Sequence, residues 1–465
     1  MANQISVCPL MVGKRTTEFI KPSNQPHYET LSLSTLDNDP RNEIMYCTIY
    51  VYDAERNAAR IHHHDDHPES LLKDALSNLL VHYYPLSGKL NRRKRDGKLQ
   101  LRCNGAEGVP FTVATSNLDL SSLGYLENVG FDTASLLLPQ IDDENYDREI
   151  GYYPLALQIT KFPCGGFTIG TALTHAVCDG FGVARFISSL MELAAGKSEP
   201  TVVPTWERDL LVGIPDDRPV EIPGADKACR LAVSHYMPTK DMISEAVNVK
   251  PEDIKRLKED LLRESDFSGQ ILTTFEVLGA YIWRSRIRAL KLNPDGIVVL
   301  GLAVAIRRAV DPPLPDGYYG NACMDMHVEL TAREVDETPI SEIVKLVKEA
   351  KIKAHDKEYI AEQLRNTEKL TRMGEQFEGR RDGLFFLTDW RNIGWFGSMD
   401  FGWGEPVNLL PVVPPDRAAD LGMLLGPCKL DQKMVGGVKV VMTLPRDAMP
   451  KFKEEMEALD KIGET

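Results

Sequence analysis

The chain contains no Cys-x-x-Cys pair, no apolar run long enough to span a bilayer as a helix, and no excess of basic charge. Each absence removes a class of protein. The cysteines stand scattered at 8, 47, 103, 164, 178, 229, 323 and 428, so they read as reduced thiols of a cytoplasmic protein. The longest apolar stretch, Gly296 to Ile306, is too short for a spanning helix. Pro9 and Lys14-Arg15 interrupt the beginning of the chain, which argues against a signal peptide. A net charge of −14 offers no basic face to nucleic acid. No Gly-x-Ser-x-Gly elbow, sequence repeat or low-complexity tract is present. A soluble monomer is expected, without nucleic-acid or membrane partners.

What is present is enough chain for two cores. At 465 residues, with 43% hydrophobic and 26% charged residues, the prior is two ordinary domains. The reading places them at 1–195 and 227–465, joined by a proline-rich, aperiodic crossover over 196–226. Leu71, Leu72, Ala75, Leu76, Leu79 and Leu80 form a helical stripe over 68–82. Residues 98–103 and 109–114 alternate as strands, and 155–162 with 167–173 read as a hairpin turned at Gly165-Gly166. A helix is expected from about 183 to 194, and others over 251–263 and 274–290, the latter with Thr273 and Glu276 at capping-box spacing. A buried strand over 297–306 ends at Pro312-Pro313. Thr338-Pro339 starts a further helix, with Ile340, Ile343, Val344 and Val347 inward. Strands over 421–425 and 438–444 precede a last helix that buries Met449, Phe452, Met456 and Leu459. Helices and strands alternate, so the class is α/β.

The chemistry concentrates at Thr174-His175-Ala176-Val177-Cys178-Asp179-Gly180, where an apolar strand runs into a polar, glycine-containing exit. A lone His at a strand end is more often structural than catalytic. Here, however, the Asp-Gly-Phe-Gly exit is the kind of loop that carries site residues, and no His or Cys stands nearby at zinc spacing. His175 is therefore the candidate general base. Asp179 either orients the imidazole or turns away to pair with an arginine; its spacing alone fits both. Cys178 has no activating cation in the adjacent sequence and reads as a buried, inert thiol rather than a nucleophile. His62-His63-His64-Asp65-Asp66-His67 lies in a polar connection and reads as solvated histidines, with no metal assigned.

A second motif, Asp400-Phe401-Gly402-Trp403-Gly404, stands far downstream. The two together, in this order, resemble the plant BAHD acyltransferases. Leu31-Ser32-Leu33-Ser34-Thr35-Leu36-Asp37-Asn38, His82-Tyr83-Tyr84-Pro85-Leu86-Ser87-Gly88, and Pro312-Pro313-Leu314-Pro315 with Tyr318-Tyr319-Gly320-Asn321-Ala322 are similar to further landmarks of that family. Within it, the stretches 33–40, 174–180 and 386–397 look most like the spermidine hydroxycinnamoyl transferases.

The resemblance implies two chloramphenicol-acetyltransferase-like α/β domains joined by a long crossover, with a channel at their interface and His175 midway. It implies acyl-CoA as co-substrate, no permanently bound cofactor, and direct transfer to the acceptor with His175 as base and the Thr388 hydroxyl at the oxyanion. Asp179, with Gly180, is implied to be structural, paired with Arg307; Ala305 stands where the family usually has Asp. Asp400, Gly402 and Trp403 shape the channel from a distance. Asp389 is the candidate contact for a cationic acceptor such as a polyamine. Trp390, Trp395 and Trp403 are candidate walls for a planar acyl group. The alternative is an O-acyltransferase of the same superfamily acting on a terpenoid, alkaloid or phenolic alcohol.

Overall fold

The computed structural model describes residues 9–24, 28–54, 67–104, 107–140, 151–216, 218, 230–264, 267, 270–373, 381–391, 393 and 399–461. Two six-stranded mixed sheets organise the chain. The first has the spatial order Val12–Ile20, Val109–Ser116, Leu155–Lys161, Phe167–Thr174, Met45–Tyr52, Asn408–Val412. The second runs Cys323–Thr331, Ile297–Ala305, Leu384–Asp389, Leu421–Leu425, Val438–Pro445, Met242–Val249. Both belong to the expected α/β class.

Apolar strands at the centre and amphipathic helices on top explain both layers. Leu155–Lys161 and Phe167–Thr174 are buried on both faces along nearly their whole length, their polar Gln158, Thr160, Thr168 and Thr171 included. The helices Pro68–His82 and Gly180–Ala194 pack together over this sheet, burying Leu72, Leu76, Phe186 and Leu190. In the second half, Thr274–Leu290 packs between Ile340–Lys353 and Met449–Glu457 and buries Trp283 fully. Its capping box forms as the spacing predicts, with Thr273 and Glu276 each accepting from the other's backbone.

Several elements differ from the sequence expectations. The helix after the His motif begins at Gly180 rather than about 183, because Asp179 caps it by accepting from Gly182 N–H at 3.0 Å. Thr338 does not cap the helix that follows. It closes the preceding helix Ala332–Glu337, and Pro339 takes the cap position of Ile340–Lys353 without a side-chain bond. Leu459 is buried, but in a short 3-10 turn beyond the last helix.

The sheets also do not divide strictly at the crossover. Asn408–Val412, from the C-terminal part of the chain, pairs antiparallel with Met45–Tyr52 and forms the edge of the first sheet. The crossover itself is more than a tether: its 3-10 turn Arg208–Leu211 buries Arg208 and Leu211 completely. Among the described residues, no helix is long and apolar enough to cross a membrane.

Candidate active site

The strand Phe167–Thr174 delivers His175 into a turn held from several directions. His175 N–H donates to the Ile44 carbonyl at 2.8 Å, and the His175 carbonyl accepts from Asn321 Nδ2 at 2.6 Å. Two residues on, the Val177 carbonyl accepts from Arg208 Nη2 at 2.8 Å. The imidazole lies against the Tyr46 ring, 4.6 Å between centroids, and keeps partial exposure. Its Nδ1 is buried and has no hydrogen-bond partner.

Asp179 points away from that ring. Its Oδ1 lies 2.6 Å from Arg307 Nη2 and also accepts from Gly182 N–H, while Oδ2 accepts from Ala322 N–H at 3.0 Å. Burial alone would push this carboxyl up. The charge and hydrogen bond of Arg307, with the N–H groups of Gly182 and Ala322, outweigh it and hold Asp179 below the usual carboxylate range. Ala305 in place of the usual Asp does not prevent the contact. Gly182, the second glycine of the Asp-Gly-Phe-Gly exit, lets this helix start approach the Tyr319 carbonyl, where any Cβ would collide. At Gly180 an added Cβ would meet only Ile393 Cδ1, at 3.1 Å.

A second polar joint lies beneath the His turn. Asp37 is fully buried and accepts from Asn321 N–H and Nδ2 at 3.0 and 2.8 Å, with Arg208 Nε 2.9 Å from its other oxygen. The Arg208 guanidinium is stacked among Trp206, Tyr318 and Tyr319. Asp37 and Asn321 both stand inside sequence landmarks, yet neither had been given a role. Arg208 had no sequence signal beyond its place in the crossover.

A cavity of about 2030 Å³ lies between the halves, lined by His175, Tyr46 and Phe181 from the first and by Thr388, Asp389 and Trp390 from the second. Thr388 reaches it from the strand Leu384–Asp389. Burial, with Asp325 nearby, pushes the Tyr46 phenol up to about 12, so it stays protonated beside His175. Burial likewise pushes the Cys178 thiol far above its ordinary value. That thiol packs within the hydrophobic core of the first layer.

Other expectations need correction. Asp389 does not present a bare carboxylate to the cavity: Arg391 Nε and Nη2 donate to its two oxygens at 2.9 and 2.6 Å. Trp390 lines the cavity, but Trp403 packs edge-on to Phe167, 5.7 Å away, as part of the core. Trp395 and the histidines 62–64 lie outside the described residues. Asp400 organises its own loop, accepting from Gly402 and Gly404 N–H at 2.9 Å each, with Gly402 at φ 96° where a side chain would be strained. The loop is set apart from the cavity wall, and Phe401 anchors it edge-on to Tyr52. Among the described residues, no group of three His, Cys, Asp or Glu side chains could hold a metal ion.

With this geometry in view, the Transferase family matches residues 10–459. The chain belongs to this family, the BAHD transferases. Two Arabidopsis thaliana proteins are similar over nearly full length. Spermidine coumaroyl-CoA acyltransferase is 58% identical, covering 99% of each chain, and spermidine sinapoyl-CoA acyltransferase is 56% identical, covering 98% of this chain and 99% of that one. Among solved structures, vinorine synthase superposes with a TM-score of 0.73 at 22% identity, covering 97% of this chain and 98% of that one. The Fusarium sporotrichioides TRI101 complex with coenzyme A and T-2 has a TM-score of 0.69 at 14% identity, covering 94% and 98%. This transferase therefore has the two-domain, chloramphenicol-acetyltransferase-like fold that its sequence implies.

Proposed function

We propose that this chain is an acyl-CoA-dependent N-acyltransferase. It moves a hydroxycinnamoyl group, such as sinapoyl or coumaroyl, from coenzyme A to spermidine or an acylated spermidine. The observation that carries the chemistry is the position of His175: partly exposed on the wall of a large cavity, its backbone clamped on both sides, and released from Asp179. The near-full-length similarity to two spermidine acyltransferases supports the choice of acceptor.

In this reading the acceptor nitrogen, as a neutral amine, attacks the thioester carbon, and Nε2 of His175 takes its proton. The carbonyl π electrons move to oxygen, where the Thr388 hydroxyl donates a hydrogen bond. Collapse re-forms the C=O bond and breaks the C–S bond; the thiolate leaves and takes the proton from His175. An aliphatic ammonium ordinarily titrates near about 10.4. Desolvation in the cavity lowers that value and favours the attacking form. The free thiols at Cys47, Cys103, Cys164, Cys178, Cys323 and Cys428 suit a cytoplasmic enzyme.

Purified protein incubated with sinapoyl-CoA or coumaroyl-CoA and spermidine should give amide conjugates by mass spectrometry. Ester products on an alcohol panel, with no polyamine conjugate from any donor, would overturn this reading in favour of an O-acyltransferase.

A further inference from the structure

An imidazole that works as a base is commonly held in one orientation by a carboxylate or carbonyl at its other ring nitrogen. His175 lacks that support. Asp179 turns away to Arg307, and among the described residues the buried Nδ1 has no hydrogen-bond partner. The bonds to the Ile44 carbonyl and from Asn321 fix the backbone of the turn, not the torsions of the side chain. The orientation of the ring is therefore left to packing.

Strand register supplies the packing partner. Met45–Tyr52 runs antiparallel to Phe167–Thr174, with Tyr46 opposite Leu173 and Met45 opposite Thr174. The bond from His175 N–H to the Ile44 carbonyl carries this ladder one step further. Tyr46 and His175 are thus diagonal neighbours on one face, a separation that aromatic side chains can bridge. They bridge it with ring centroids 4.6 Å apart and planes tilted by 58°. On its other flank Tyr46 meets Trp390, 6.0 Å between centroids and two residues beyond Thr388. Trp390 is well anchored: it is 7% exposed, and its backbone N–H donates to the Leu424 carbonyl at 2.9 Å. The three rings form a row from the His turn in the first half to the chain leaving the Thr388 strand in the second. Burial and the nearby Asp325 keep the Tyr46 phenol protonated, so the middle ring of the row is neutral.

We infer that Tyr46 is the positioning residue of the base: its ring holds the His175 imidazole in one orientation and, braced by Trp390, sets that imidazole's separation from Thr388. The inference rests on His175 acting as the base, as proposed above.

The test compares the full-length enzyme with Tyr46→Leu, which removes the ring, and Tyr46→Phe, which keeps it. With sinapoyl-CoA and spermidine, Tyr46→Leu should lower kcat roughly 10–10²-fold, the effect of a misplaced reacting group. The KM of each substrate should move by less than about threefold, and Tyr46→Phe should bring kcat back to within about threefold of wild type. Nitrogen NMR of ring-labelled histidine, with the His175 signal assigned by its loss in His175→Ala, reads orientation without turnover. That signal should shift and broaden in Tyr46→Leu and stay close to wild type in Tyr46→Phe. If Tyr46→Leu does not fold, Tyr46→Met takes its place. A raised KM with unchanged kcat would make Tyr46 a substrate wall and overturn the inference. Equal loss of kcat in the Leu and Phe variants would credit the hydroxyl rather than the ring, and overturn it as well. So would an unaltered His175 signal in Tyr46→Leu. If wild type and His175→Ala are equally active, or the wild type acylates no polyamine, the functional reading fails, and the NMR comparison still decides whether Tyr46 holds the ring.

Discussion

Asn321 holds the backbone of His175: its amide donates to the His175 carbonyl at 2.6 Å and to buried Asp37 at 2.8 Å. One side chain from the second half of the chain thus fixes both the turn that carries the imidazole and the carboxylate beneath it. Asn321→Ala should cost about 2–3 kcal/mol of stability through the polar groups left unsatisfied. It should also lower kcat more than it raises the KM for acyl-CoA. Denaturant unfolding together with steady-state kinetics checks both.

Asp179→Asn should destabilise the fold by about 3–5 kcal/mol, because it leaves Arg307 largely buried without its counter-charge. The folded carboxyl titrates below its ordinary value. Its contribution is therefore complete above the unfolded value, about pH 4, and disappears as the pH falls through the lower folded value. The stability gap between wild type and variant should be full at neutral pH and shrink only in that acidic window. A stable but inactive Asp179→Asn protein would instead give the carboxylate a role in the reaction.

His175→Ala should lower kcat/KM by roughly 10²–10⁴-fold while leaving thermal unfolding nearly unchanged, since the ring is only partly buried. Thr388→Ala should lower kcat by about 10²-fold, and Thr388→Ser should recover most of it by restoring the hydroxyl. Equal activity of the Ala and Ser variants would remove the hydroxyl from the proposed chemistry.

Cys178→Ala should keep kcat within about threefold and cost about 1–2 kcal/mol in packing. Intact-mass measurement after mixing enzyme with acyl-CoA alone should reveal no acyl adduct. An adduct on wild type that vanishes in the variant would convert the buried thiol into a nucleophile.

Much of this arrangement was legible where local physics decides. The helix 68–82 carries an apolar stripe, and the box at Thr273 and Glu276 is a short-range bond pattern; both appear as the spacing predicts. The helix Lys357–Met373 was missed because its stripe, Ile360, Leu364 and Leu370, is sparse within a largely polar segment. The strand Met45–Tyr52 was missed because its neighbours in the sheet come from residues 167–174 and 408–412, far along the chain. The site divides the same way. His175 is visible as a residue type at a junction, whereas Asp37, Arg208 and Asn321 matter only through contacts between distant segments. Asp389 is the converse: its charge is plain in the sequence, and only the structure shows it paired with Arg391, two residues on.

The edge strand Asn408–Val412 ties the halves together in a way no boundary in the chain respects. A fragment ending before it would expose the open flank of Met45–Tyr52, a template for pairing with other molecules. Chimeras assembled from two such transferases must therefore exchange that ribbon together with the N-terminal layer it completes, or inherit a seam that neither parent possesses.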